Sequence, residues 1–257
     1  MISYYFFLMI IFIYLHKYVY YWGEKILIKY NNITLSGMKN IKISELKNIT
    51  ISELKNITIS ELKNENNLLN LTEYKIKYII KNIWKSYILF LMLILSTFHF
   101  LEGFLNNRWY NVFFYIFGTI YSSLDISGLI FVRGLPTATV IHHCVVGFLG
   151  ITNLLVDYEV SGYYRSIIIY TYFSIIPFLV NFYLGYRYIS NNKERIKKIA
   201  KYSYKIYTFS LITNILCQII FFINQEYSHY LFVYIGLYTL ILYDDIKLIK
   251  FLRKESL

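Results

Sequence analysis

The apolar positions of this chain come in blocks, and most charged positions lie between them. From residue 86 the blocks are 86–103, 110–132, 137–156, 164–186, 207–224 and 229–246. Each is close to the roughly 20 residues a helix needs to cross a bilayer at about 1.5 Å per residue. A further apolar run, Ile2 to Leu15, is interrupted by His16-Lys17 and resumes from Tyr18 to Trp22. The pattern predicts an all-α, multi-pass transmembrane helix bundle: a six-helix core with an N-terminal seventh span.

Residues 1–22 read as a retained span or signal anchor, because no basic segment precedes the apolar run and no small-residue cleavage site follows it. Residues 23–74 read as a cytosolic linker. Within it, residues 35–66 carry a tandem eight-residue repeat, LSGMKNIK, ISELKNIT, ISELKNIT and ISELKNEN. Its apolar spacing fits neither the helical nor the strand period, so a duplicated linker with at most weak helical character is expected. Residues 75–257 form the membrane domain. Pro177, mid-block in Phe173-Ser-Ile-Ile-Pro177-Phe178, removes a backbone hydrogen bond and predicts a kink.

Composition agrees with a membrane setting. The chain is 57% hydrophobic and 16% charged, against about 45–50% and about 25% in soluble domains. The net charge of +11 would suggest nucleic acid in a soluble chain, but the basic residues flank apolar blocks, which favours topology control and anionic headgroups. Alternating the loops across the bilayer puts Lys75, Lys77, Lys81, Lys85, Arg133, Arg187, Lys193 to Lys205 and Lys247 to Lys254 on one side, and only Arg108 and Arg165 on the other. That asymmetry predicts cytosolic ends for the six-span core. Asn32, Asn48, Asn56 and Asn70, in N-x-T sequons, would then stay unmodified. Cys144 and Cys217 lie inside apolar blocks without a CxxC pattern, so packed free thiols are expected and a zinc or redox centre is not.

Ionisable groups inside a bilayer are costly and usually functional. Asp125 lies in the second core block, and His142 and His143 lie in the third. The connection Arg133-Gly134-Leu135-Pro136 is short enough to make these helices antiparallel neighbours. Asp125 lies eight residues before Arg133 and His142 six after Pro136, which places them about 12 Å and about 9 Å from the turn. Asp125 can therefore reach a ring nitrogen of one histidine, fix its tautomer and raise its basicity. Tyr121 is one helical turn away on the same face. A polar cluster that only locks two helices is the alternative. A metal would need another ligand, so no metal or cofactor is expected. Asp244 and Asp245 read as a solvated helix end, and His16 and His229 as interfacial.

Tyr-x3-Asp, a short Leu-Pro loop and His-His in a multi-spanning core resemble the TLC domain, a family that includes ceramide synthases, translocon-associated proteins and regulators of membrane lipid composition. Gly118, Tyr121, Asp125, Pro136, His142 and His143 carry the resemblance, over about residues 75–255. Ser174, Pro177 and Phe178 echo a second stretch of the family, with shifted spacing and without its acidic residue. The further acidic signature of ceramide synthases after His-His is also absent.

The resemblance implies lipid handling in the endoplasmic reticulum membrane. It marks His142, His143 and Asp125 as catalytic candidates, with Tyr121, Ser174 and Pro177 as substrate-binding candidates. Membrane lipids are the implied partners. An alternative is N-acyl transfer from acyl-CoA to a sphingoid base; a heptahelical receptor or channel is supported only by helix count.

Overall fold

The structure is a computed structural model that describes residues 2–46, 73–160, 162, 164–223 and 229–257. Among the described residues there are eight helices: α1 Ile2–Leu46, α2 Glu73–Asn106, α3 Asn111–Phe131, α4 Thr137–Asn153, α5 Arg165–Ile175, α6 Phe178–Tyr186, α7 Lys193–Ile223 and α8 His229–Ser256. Four helical stretches are long and apolar enough to cross a membrane: Ser3–Lys29, Lys75–Asn106, Asn111–Phe131 and Lys193–Ile223. The bent pair α5–α6 makes a fifth if counted as one span. The chain is thus a candidate multi-pass helical membrane protein. Length and hydropathy do not extend this to α4 and α8. The 17 residues of α4 rise about 26 Å, short of a hydrocarbon core of about 30 Å. The second half of α8 carries Asp244, Asp245, Lys247 and Lys250.

α1 runs past Trp22 to Leu46, into the first repeat copies, where a linker is expected. The remaining repeats, with Asn48, Asn56 and Asn70, lie outside the described residues. At the other end of the same connection, α2 begins at Glu73, so Lys81 and Lys85 sit two to three turns inside a helix.

The helices pack in a ring. α1 lies against α2 and α3, α3 against α4, α4 against α8, α8 against α7, and α7 against α5 and α6, which return to α2. Outside the ring many large side chains are apolar. On α7 alone Phe209, Ile212, Leu216, Ile219, Ile220 and Ile223 are exposed, a band that water would not tolerate but acyl chains would. α3 is the most enclosed span, with 61% of its apolar window buried. Its inward face carries Gly118, Thr119, Ser122, Ser123, Ser127 and Gly128, small residues that allow close helix approach. The three serine hydroxyls return to the helix's own carbonyls: Ser122 Oγ donates to Gly118 O at 2.7 Å, Ser123 Oγ to Ile120 O at 2.7 Å and Ser127 Oγ to Leu124 O at 2.9 Å.

Two punctuation residues shape the bundle. Gly134 has φ 71°, a left-handed conformation that suits glycine and turns the chain between α3 and α4. Pro177 separates α5 from α6, which diverge by 44°. Its missing N–H leaves the carbonyl of Phe173, four residues earlier, without a helical donor. Ser210 Oγ, from α7, donates to that oxygen at 2.5 Å. The kink expected from sequence is present, and a neighbouring hydroxyl makes it tolerable in an apolar setting.

His16 lies inside the bundle, between helices. It is 3% exposed and joins three helices: Trp84 Nε1 donates to its Nδ1 at 2.9 Å, and its Nε2 lies 3.3 Å from Ser123 Oγ. The proton this tautomer leaves on Nε2 faces a hydroxyl that can accept it. Tyr20 OH and Ser127 Oγ, one turn further along, are 3.4 Å apart. α1 therefore docks on α3 through polar contacts as well as apolar ones.

Candidate functional site

Seven helices, α2 to α8, contribute to one cavity of about 520 Å³ inside the ring. α2 supplies Lys81 and Lys85, spaced one turn apart on one face. α3 supplies Tyr121, and Asp125 lies behind it in the wall. α4 supplies His142 and His143, α5 Ser174, α7 Tyr207 and Leu211, and α8 Asp244 and Asp245. Leu89, Phe173, Val180, Leu248 and Phe251 add apolar lining, and Pro177 sits at the kink facing the same space. The residues singled out from sequence are thus gathered around one cavity: five line it and Asp125 stands directly behind.

Asp125 is fully buried. One carboxylate oxygen, Oδ1, takes an ion pair with Lys85 Nζ and lies 2.9 Å from His143 Nδ1. The His143 contact is close, but its direction is not that of a straight hydrogen bond, and Oδ2 has no hydrogen-bond partner. The other ring nitrogen of His143, Nε2, lies 3.0 Å from Lys81 Nζ. If Lys81 donates as ammonium, the imidazole proton is assigned to Nδ1, towards Asp125. Asp125, His143 and Lys81 therefore stand in line, with Lys85 balancing the carboxylate.

His142 takes a different partner. Its Nδ1 lies 3.4 Å from Asp244 Oδ2 and 3.8 Å from Asp245 Oδ1. Thr139 Oγ1 donates to Asp244 Oδ1 at 3.4 Å and Tyr207 OH to Asp245 Oδ1 at 2.6 Å. Adjacent residues on a helix point about 100° apart, which is why one histidine faces α3 and the other α8.

Four expectations change here. Lys81 and Lys85, counted with the loop charges, are only 4% and 7% exposed; Lys85 pairs with a carboxylate and Lys81 meets an imidazole, both on other helices. Asp244 and Asp245 do not form a solvated end: Asp245 is 5% exposed. Arg165, counted as a loop charge, is buried. Cys144 is exposed on α4 rather than packed. A sequence signal for the lysines did exist: Tyr78, Lys81, Asn82, Lys85 and Leu89 follow helical spacing and share one face. Gly128 is a second sign. A Cβ there would stand 2.7 Å from Lys81 Cε, so its bare backbone makes room for the lysine side chain.

Asp125, His142 and His143 can each bring one donor atom within 4.8 Å of the others. A cation at that point would compete with two lysine amines on the same donors, because Lys85 holds Asp125 and Lys81 faces His143. The set suits proton transfer better than metal binding. Comparison with models of known protein families, with curated proteins and with solved structures returns no match.

Proposed function

We propose that this chain is a TLC-type membrane protein of seven spans, with α4 and α8 completing the bundle, that handles lipid in the endoplasmic reticulum membrane by holding one molecule in the central cavity. One observation carries the reading: a cavity of about 520 Å³, within the range of about 300–1,000 Å³ usual for small-molecule sites, whose apolar lining meets a buried Asp–His–Lys cluster. The apolar part fits an acyl chain and the polar wall fits a headgroup or reacting carbonyl. The polar cluster as mere helix lock explains the contacts but not why they border a cavity.

The test is photo-crosslinking of the purified chain with a long-chain fatty acid bearing a terminal diazirine. Labelled peptides should map to the cavity wall around Phe173 and Leu211. Leu211→Trp, which fills the space, should reduce capture about tenfold, while Phe209→Trp on the outward face should not. Labels confined to outward faces would sink the reading.

The second reading is N-acyl transfer from acyl-CoA to a sphingoid base. The paired carboxylate–imidazole contacts favour it, since a general base oriented by a third group is what such a step needs. Expression in cells lacking ceramide synthase, with ceramide measured by mass spectrometry, tests it directly. Under this reading wild type yields ceramide, and His142→Ala and Asp125→Ala do not. No ceramide from wild type removes it.

A further inference from the structure

We propose that Lys81 is the nucleophile of an Asp125–His143–Lys81 triad and forms a reversible imine with the carbonyl carbon of a long-chain aldehyde or ketone in the cavity. The proposal rests on the reading that the cavity takes lipid, and adds which group of that lipid reacts and where.

The geometry has the form of an activated nucleophile. Such a group needs a base within about 2.6–3.2 Å and a third residue that orients the base. Lys81 Nζ stands 3.0 Å from His143 Nε2, and His143 Nδ1 stands 2.9 Å from Asp125 Oδ1. Lys81 is buried and lines the cavity. Simple charge compensation would place it on a carboxylate. Among the described residues, however, Lys85 takes the ion pair with Asp125, and the polar partner of Lys81 is an imidazole. Two ammonium groups one turn apart on a buried wall repel each other. Passing one proton to His143 moves that positive charge onto the imidazole bordering Asp125 and frees the Lys81 lone pair. Gly128 adds shape: its missing side chain leaves the Lys81 stem room beside α3.

The choice of electrophile follows from the chemistry of an amine. With a thioester, Lys81 would form a stable amide and block the site after one event. With an aldehyde or ketone the product is an imine, which water reverses. His143 Nε2 takes one proton from the Lys81 ammonium, and the nitrogen lone pair forms a bond to the carbonyl carbon. The C=O π pair moves to oxygen, which takes the proton back from His143. A second nitrogen proton passes through His143 to the hydroxyl, which leaves as water. The nitrogen lone pair then closes the C=N bond, leaving a protonated imine. Nothing is oxidised or reduced. Asp125 stabilises the imidazolium at both transfers, and Lys85 keeps Asp125 compensated.

The experiment uses the full chain in nanodiscs, incubated with hexadecanal and sodium cyanoborohydride and then mapped by peptide mass spectrometry. The expected result is a reduced hexadecyl adduct on Lys81, formed at least tenfold faster than on the exposed Lys201 and Lys205. Lys81→Arg should lose it, and His143→Gln should slow it by about 100-fold, the scale of a general base. The wild-type comparison among lysines is internal, so a variant that fails to fold does not decide the outcome. Adducts no faster on Lys81 than on Lys201 and Lys205, with both hexadecanal and butanal, overturn the proposal; the diazirine labelling separately decides whether the cavity holds lipid. Selective modification of Lys81 by butanal but not hexadecanal keeps the nucleophile and overturns the long-chain occupant.

Discussion

Asp125→Ala should destabilise the bundle by about 3–5 kcal/mol, the usual cost of removing one partner from a buried ion pair. Asp125 is fully enclosed, and the groups it faces are the Lys85 amine and the Nδ1 edge of His143. Alanine leaves the ammonium of Lys85 in a low-dielectric wall without a compensating charge. The double variant Asp125→Ala/Lys85→Met should recover much of the loss, because an apolar pair of similar volume is often tolerated where a broken ion pair is not. Unfolding midpoints in detergent micelles for wild type, both single variants and the double variant form a double-mutant cycle, and contacting residues should show a coupling of about 0.5–3 kcal/mol. If the two single effects simply add, Lys85 and Asp125 do not form the pair described.

Arg165 organises the opposite end of the bundle. Its Nε donates to Tyr158 O at 2.7 Å, Nη1 to Asn107 Oδ1 at 2.7 Å and Nη2 to Glu159 O at 2.9 Å. The guanidinium also stands 5.2 Å from the Trp109 ring centroid. Asn107, immediately after α2, has φ 56°, a left-handed conformation that Asn accepts more readily than most residues. One fork-shaped side chain thus ties the end of α2 to the loop before α5. Arg165→Lys should cost about 2–3 kcal/mol, since an ammonium cannot reproduce the three directions. The loss should appear both in the unfolding midpoint and as faster proteolysis between residues 155 and 164. Unchanged cleavage there would mean that the fork does not hold the loop. In the same loop, the side-chain bond from Asn111 and the backbone N–H of Glu159 hold the exposed Asp157 carboxyl below its ordinary value of 3.8. Because the folded-state value is depressed, that small contribution is present above this pH and is lost as pH falls below it.

The site was legible in part, and the particular residues show why. Asp125 and the His pair stand out because an ionisable group in an apolar block has no trivial explanation. The short turn at Gly134 fixes how far each lies from it. Which histidine meets Asp125 was not legible, because both lie at nearly the same depth and only helix rotation separates them. Lys81 and Lys85 were misread for a different reason. A lysine near the start of an apolar block can snorkel to water or turn inward, and the sequence is the same in both cases. The turn inward depends on Asp125 and His143 from other helices. Asp244 and Asp245 hide in the same way: Tyr207 and His142 make a buried site of what otherwise reads as a wet helix end. His16 looked interfacial because Trp84 and Ser123 are 68 and 107 residues away.

By itself, the sequence determined that this chain is built of long apolar helices, that Pro177 breaks one of them, and that Asp125 and the His pair share a hairpin. Those features follow from local chemistry: side-chain hydropathy, a missing N–H and a turn of four residues. Only the tertiary structure decided that Lys81 and Lys85 join them, that His142 and His143 take different partners, and that the whole set borders a cavity. These depend on helix rotation and on which spans are neighbours. Packing in three dimensions sets both, through residues far apart along the chain.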